Sequence, residues 1–456
     1  MRKIAVLLKF FKGELNPFDA AALECALEWG GEIYALAMAP ASALPAMEGL
    51  TRLGVRSVLI TDPQYAGSDT QATSYILSEA LRKLSPDIIF AGRQSVDGDT
   101  AQVPPMIAER LGIDIIPSVM EFSSGNALTR DGESFNISPG VIVTFEKIRA
   151  LRPPSIFSKR GSVTTLSNSD LLLSAEMCGT SGSPTRVVRS YESTVGRREC
   201  KYITPCELDS VISEALSKKR EENTEQVAKS DVIHYFGDIE NIAKKYAEKT
   251  VMLEYKGKSP ETLAKEILSA GAKHVLFEDS TELKILASRT AVLLGAGICA
   301  DCISFRSEEG RLIMTRPALG GNVTADIVCT SDIAFATVRG VKNKGSDVMF
   351  AIGKGAVPYV EEIKKLADKY GAELVSSRVV ADSGKMPYSS QVGLTGRTVS
   401  PKVYVAFGIS GAVQHTSAIA SAGTVIAVNC DKDARIFDYA DYGIVLDIEK
   451  LIKGED

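Results

Sequence analysis

Histidine is scarce in this chain: its 456 residues include three, His234, His274 and His415, far apart in sequence. Eight cysteines are spread just as thinly. Only Cys299 and Cys302 stand in C-x-x-C spacing, and no second pair follows at the distance a zinc site needs. A structural metal and a disulfide framework are therefore not expected, and Cys299 and Cys302 read as buried core thiols rather than as a redox pair or half a zinc site. Sparse cysteine also favours a reducing compartment, so a cytoplasmic location is expected. Long apolar runs are missing too. No stretch of 18 consecutive apolar residues occurs, which removes any candidate membrane-spanning helix. The apolar start, MRKIAVLLKFFKGELNPF, is broken by Lys9 and Lys12 and reads as a first buried strand rather than a leader. A sustained block of Lys and Arg is absent as well, and the net charge is -5. Nothing here attracts a phosphate backbone, so nucleic acid is not an expected partner.

What is present is apolar content of 45%, enough for roughly two to four packed domains. A short β-branched strand, a polar or glycine turn and a helix with three- and four-residue apolar spacing recur along the chain. That order defines an α/β protein with parallel sheets. Lys3–Leu8 is the first predicted strand. Residues 16–19 lead into a helix over Ala20–Trp29 that stops at Gly30 and Gly31, and further strands follow at 32–39, 57–60 and 87–91. The chain goes from the first strand to Asn16 almost at once.

Residues 271–305 repeat the order of residues 85–122: strand, polar loop, helix, glycine, strand. Such self-similarity indicates a duplicated α/β unit whose copies pack about a pseudo-twofold axis. Between the copies, residues 166–227 differ in composition, with SGSPT at 181–185 and the charged run SKKREEN at 217–223. The expected division is therefore 1–165, a junction at 166–227, 228–345 and 346–456. The last segment is predicted to start with a strand at 347–352 and a helix at 359–370.

The densest chemistry lies in this last segment. The predicted strand 402–407 runs into Gly408-Ile409-Ser410-Gly411-Ala412-Val413-Gln414-His415 and then a helix. Two glycines at a strand-to-helix turn let backbone N–H groups approach a pyrophosphate, and the helix start adds positive potential. Ser377-Arg378, the run Gln391 to Gly396, Asn429-Cys430-Asp431 and Ala440 to Gly443 fall at the ends of neighbouring predicted strands. This is the edge at which open parallel sheets bind ligands. In the first segment, Asp97-Gly98-Asp99-Thr100-Ala101-Gln102 precedes a helix with Pro104 and Pro105 in its first turn, another candidate phosphate site.

The motifs SSR, QVGLTG, SPKVYVAFGISGAVQH, VNCD and DYGIV, in that order, resemble the flavin domain of the electron transfer flavoprotein α subunit. LLGAGICADCISF and TRPALGGNVTADIVC resemble that subunit's N-terminal domain. NPFDAAALECAL, AGRQSVDGDTAQVPPMIAERLG and RALRPPSIF resemble the β subunit. The resemblance implies a β-then-α fusion: two nucleotide-hydrolase-like parallel-sheet domains followed by a doubly wound FAD-binding domain. It implies that Ser410, Gly411, Ala412, Val413, Gln414 and His415 wrap the FAD, with His415 near the pyrimidine carbonyl. Val392, Gly393, Leu394 and Thr395 are implied near the flavin N5 edge, and Ser377 and Arg378 against the ring, where a fixed cation stabilises negative charge. Asn429, Asp447 and Ile448 are implied at the adenosine end. Lys354 stands where the family usually has arginine, the hairpin that usually follows the first strand is expected to be missing, and the stretch between Arg339 and Asp347 is shorter than the family's. In the first segment, Asn16, Pro17, Phe18 and Asp19 are implied beside an adenine. Residues 97–102 are implied at the phosphates of AMP or, as in electron-bifurcating members, of a second FAD. The implied role is an FAD-containing electron carrier between a dehydrogenase and a quinone reductase, ferredoxin or other acceptor. The alternatives are a bifurcating flavoprotein that oxidises NADH and a nucleotide-binding module that has lost electron transfer.

Overall fold

Ile4 to Leu8 are all buried, as a strand covered on both faces requires, and Lys3–Leu8 forms β1. A computed structural model of the chain describes residues 2–192, 196–217, 227–339, 346–393 and 396–454. Residues 218–223 of the SKKREEN run, the shortened 340–345 stretch, Leu394 and Thr395 lie outside the described residues. The chain divides into two compact units. The first comprises Met1–Ser190, Val227–Leu319 and Ala325–Val338; the second comprises Tyr191–Gln226, Gly320–Thr324 and Arg339–Asp456.

In the first unit a hairpin does follow β1. Phe10–Phe11 pairs antiparallel with Glu14–Leu15 around Lys12 and Gly13, whose φ angles are +51° and +82°. Two successive positive φ values give the turn whose twist suits a hairpin, and two-residue strands are too short to leave a periodic signal. Helix α1 spans Pro17–Trp29, starting three residues before the expected Ala20. Proline fits a first helical position because its missing N–H would have no partner there. The unit continues through β2 (Glu32–Met38), β3 (Arg56–Ile60), α2 (Thr70–Leu84), β4 (Ile88–Gly92), α3 (Val103–Leu111), β5 (Asp114–Ser123), β6 (Val141–Phe145) and β7 (Val163–Leu166). The sheet order is β7-β3-β2-β1-β4-β6-β5, extended by antiparallel strands at Asn126–Thr129 and Ser134–Asn136.

The same unit holds a second sheet built from β8 (Ser230–Phe236), α4 (Glu240–Tyr246), β9 (Ala247–Met252), β10 (His274–Glu278), α5 (Thr281–Leu294), β11 (Gly297–Cys302) and β12 (Ala334–Val338). Its order, β9-β8-β10-β12-β11, repeats β2-β1-β4-β6-β5 strand for strand. The repetition extends to single residues. In β5 the register against β6 slips beside Ser118, at φ +51°, whose N–H donates to Thr144 Oγ1 at 2.8 Å. In β11 the register against β12 slips beside Asp301, at φ +61°, whose N–H donates to Thr337 Oγ1 at 2.9 Å. Both bulges fall at the same offset from the first pair of their strands. The matching helices α3 and α5 face each other, joined by a 2.6 Å Arg289–Glu109 ion pair. Gln71 Nε2 also donates to the carbonyls of Ala291 and Ala296. Contact between equivalent helices is what a twofold relation between copies produces. Cys299 and Cys302 are buried, and burial pushes the Cys302 thiol well above its usual range, as inert core thiols require.

The second unit is a parallel sheet of β13 (Val348–Ile352), β14 (Glu373–Ser376), β15 (Val403–Phe407), β16 (Thr424–Asn429) and β17 (Tyr442–Val445). Its order is β17-β16-β15-β13-β14, with the short strand Lys201–Tyr202 added beside β17. Helices α6 (Val360–Lys369), α7 (Arg378–Asp382), α8 (Val413–Thr416) and α9 (Ile448–Lys453) connect and close it. The helix Leu208–Ser217 buries Leu208, Ile212 and Ala215 in the core formed by Phe350 and Phe407.

Candidate functional site

In the second unit β13 is flanked by β14 on one side and β15 on the other, so the order in which the parallel strands are laid down reverses at β13. At such a switch point the connections leave in opposite directions and open a crevice beyond the strand ends. The two loops there meet at van der Waals limits. Gly353 N–H donates to Phe407 O at 2.8 Å, and a Cβ on Gly353 would stand 2.1 Å from Gly408 O. Gly411, at φ +85°, has no room for a side chain either, since a Cβ there would lie 2.1 Å from Ile436 N. Backbone therefore lines this edge.

Several expected residues gather around the switch point. Lys354 follows Gly353 and is exposed, and Ser377 precedes α7. Arg378 pairs with Asp382 at 3.2 Å. Val392 N–H donates to Ser376 O, which holds Val392 and Gly393 beside the end of β14. Ser410, Ala412 and Gln414 are exposed, Val413 begins α8, and Gly411 and His415 are buried. Helix α8 has only four residues and no side-chain cap, so the helix start expected to aid phosphate binding is weak. One turn aligns few peptide dipoles, and the glycine backbone remains the main polar surface. At the far end, the Asn429 amide donates to Ile409 O and accepts from Asp431 N–H, while Asp447 caps α9. The side chains of Val392 and Ile448 belong to the core.

At the switch point His415 has an unusual environment. Burial pushes its pKa down to about 4, weakly opposed by the Val392 backbone. Its Nε2 lies 2.8 Å from Tyr404 Oη, and its Nδ1 is buried without a hydrogen-bond partner among the described residues. A backbone cradle with a buried polar atom left over fits a cofactor carrying phosphates and ring carbonyls.

The first unit carries a cavity of ≈ 310 Å³ at the ends of β1 and β4. Asn16, Asp19, Gly98, Thr100, Ala101 and Gln102 line it, whereas Pro17, Phe18, Asp97 and Asp99 do not. Asp19 Oδ2 accepts from Lys9 N–H at 2.7 Å, and Oδ1 accepts from Gly92 N–H at 3.1 Å. Burial nevertheless raises its pKa to about 7 against the pull of these bonds and of Asn16. Gly92 is required here, because a Cβ would stand 2.2 Å from Asp19 Oδ1. Phe18 is buried beneath the cations of Arg93 and Lys147. Asp97 binds Lys9 Nζ at 2.8 Å; burial raises its pKa, but this ion pair and hydrogen bonds outweigh it, and the net shift is downward.

Asp99 and Ala101 have φ of +50° and +56°. Left-handed residues in alternation point backbone N–H groups into a common concavity that suits an anion. Asn16 Oδ1 and Gln102 Nε2 are buried without partners among the described residues, leaving an acceptor and a donor for a ligand. Sequence reasoning missed Lys9, Ser68, Asp69, Thr70 and Gln94 in this wall. It also missed the buried Arg316, whose Nη2 donates to Asp99 O.

The chain matches the Electron transfer flavoprotein domain over residues 6–161 and 247–367, so one family description covers both copies of the repeat. It matches the Electron transfer flavoprotein FAD-binding domain over residues 344–420, the switch-point region. The chain belongs to the electron transfer flavoprotein family. It is 34% identical over 277 residues to electron transfer flavoprotein subunit alpha of Thermoanaerobacterium thermosaccharolyticum, covering 50% of this chain and 82% of that protein. Protein FixA of Azorhizobium caulinodans is 32% identical over 234 residues, 45% of this chain and 83% of that protein. Acryloyl-CoA reductase electron transfer subunit beta of Anaerotignum propionicum is 35% identical over 229 residues, 39% of this chain and 62% of that protein. Segments matching two kinds of subunit thus stand in one electron transfer flavoprotein chain.

Proposed function

We propose that this chain is an FAD-containing electron carrier that passes electrons between a dehydrogenase and a redox acceptor, and that its first unit holds a second nucleotide. The observation that carries the reading is the second unit's switch point. There the crowded Gly353 and Gly408 backbones, Lys354, Ser377, Arg378 and the 408–415 turn converge within the FAD-binding family match. FAD, when bound, supplies the redox chemistry; the protein supplies binding, orientation and electrostatics. In this reading Ser410 to Gln414 hold the phosphates, and Arg378 and Lys354 contribute positive charge. Val392 and Gly393 border the ring edge, and Asn429, Asp447 and Ile448 bound the adenosine. A neutral His415 faces the ring.

In the first unit, Asn16 and Asp19 would face the base and residues 98–102 the phosphates. AMP suits the ≈ 310 Å³ cavity, which lies at the small end of ligand sites. A second FAD, with NADH as electron donor, is the other reading. It is supported by the likeness of the VDGDTAQV loop to bifurcating members and by the paired left-handed residues, which give N–H groups enough for a pyrophosphate. The purified protein is expected to be yellow and to release FAD on denaturation. FAD plus AMP supports the carrier, and two FAD with rapid bleaching by NADH supports bifurcation. A colourless protein that stays colourless with added FAD overturns both.

A further inference from the structure

Tyr404 lies in the middle of β15 with no exposed surface, eleven residues before His415. Its hydroxyl has one hydrogen-bond partner among the described residues, His415 Nε2 at 2.8 Å. Hydrogen-bond accounting decides the direction of that contact. A phenol carries one hydrogen and can donate or accept, and a neutral imidazole carries one N–H and one bare nitrogen. If Nε2 donated to Tyr404, the phenolic hydrogen would be buried with no acceptor among the described residues, which is costly. Tyr404 therefore donates, Nε2 accepts, and the ring hydrogen of His415 sits on Nδ1.

We propose that Tyr404 is a positioning residue that fixes the tautomer of His415, so that Nδ1 presents an N–H to the bound flavin. The inference rests on the FAD reading of the 408–415 turn. Burial keeps both partners neutral, pushing the imidazole down to about 4 and the phenol well above its usual range. Nδ1 is buried and unpartnered among the described residues, and the Val392 backbone nudges the imidazole pKa upward, as an acceptor near an N–H does. An N–H aimed at a ring carbonyl stabilises the negative charge that gathers there on reduction. A bare nitrogen in the same place would repel it. Tyr404 touches no flavin atom in this account and acts through the imidazole.

Nitrogen-resolved NMR of the histidine side chains tests this in the purified protein, where three histidines make assignment simple. Wild type is expected to show a protonated Nδ1 and a bare Nε2 on His415. Tyr404→Phe, which keeps the ring and removes the donor, is expected to shift His415 toward the Nε2–H form. It is also expected to weaken FAD binding about tenfold and lower the flavin potential. A wild-type His415 protonated at Nε2 overturns the proposal whether or not the variant folds, as does a variant with unchanged tautomer and potential. The tautomer readout needs no flavin. A protein without flavin would therefore end the carrier reading while the spectrum still decides what Tyr404 does.

Discussion

At the end of β4 the chain carries Gly92, and at the matching end of β10 it carries Glu278. The two strands have matching neighbours, and the sheets around them share bulge positions and threonine bonds, so the exchange can be read almost in isolation. Behind Gly92, a carboxylate delivered by α1 caps Lys9 N–H, and the strand end stays bare beside a cavity. In the second copy, Asp238 N–H stands where Lys9 N–H stood, and Glu278 Oε2 caps it at 3.1 Å from the strand end itself. Both copies satisfy the equivalent backbone donor with a carboxylate. Only the copy whose acid comes from the helix keeps the room in front of the strand. One fold thus appears twice, once with an open cavity at the strand end and once with that place taken by a side chain.

The sharpest way to break the contrast is Gly92→Glu, which copies the second arrangement into the first. A Cβ at that position meets Asp19 Oδ1 at 2.2 Å, and the new charge faces Asp19. The variant is expected to lose the second nucleotide, keep its FAD and lose about 5 kcal/mol of stability in denaturant unfolding. Retention of both nucleotides would contradict the comparison.

Asp19→Asn probes the acid supplied by the helix. The folded pKa of about 7 lies above the ordinary 3.8, so the folded state holds the proton more tightly. The stability this contributes is fully present below pH 3.8 and lost as pH rises through about 7. For nucleotide-free protein, wild type should therefore lose on the order of 4 kcal/mol relative to Asp19→Asn across that window. Parallel stability–pH curves would show that Asp19 does not titrate there.

Glu278→Gly removes the cap on Asp238 N–H and should cost about 1–2 kcal/mol. It should create no new nucleotide site, since emptying the strand end supplies neither an acid from the helix nor a left-handed loop. Calorimetric titration with AMP checks this, and an added binding event would show that space alone makes the site. The smallest effect is expected for Ala101→Gly, which relieves a non-glycine residue at φ +56° and should change stability by about 1 kcal/mol or less with the nucleotide retained.

Much of this architecture was legible in the residues. β1 falls on Lys3–Leu8 as expected, and strand-loop-helix-strand order revealed the repeat before any sheet order was known. Ends of elements were harder to read. The start of α1 at Pro17 was hidden because Asn16-Pro17-Phe18-Asp19 also reads as a turn, and the Lys12-Gly13 hairpin was too short for periodicity. The glycines of the 408–415 turn were visible as a motif, whereas the brevity of α8 was not. The cavity wall was legible only in part, because Lys9, Ser68, Asp69, Thr70 and Gln94 come from separate segments brought together by sheet order. Arg316 arrives from the second copy, which no local pattern announces. The Tyr404–His415 bond likewise spans a strand and a turn, and a tyrosine in a buried strand is unremarkable until its partner is known.

We propose that these parallel sheets hold two nucleotides, one at the switch point of the second unit and one in the cavity at the ends of β1 and β4. Quantitative release of cofactors from freshly purified protein tests it most directly. The account predicts two nucleotides per chain, at least one of them FAD; one nucleotide per chain, or three, would contradict it.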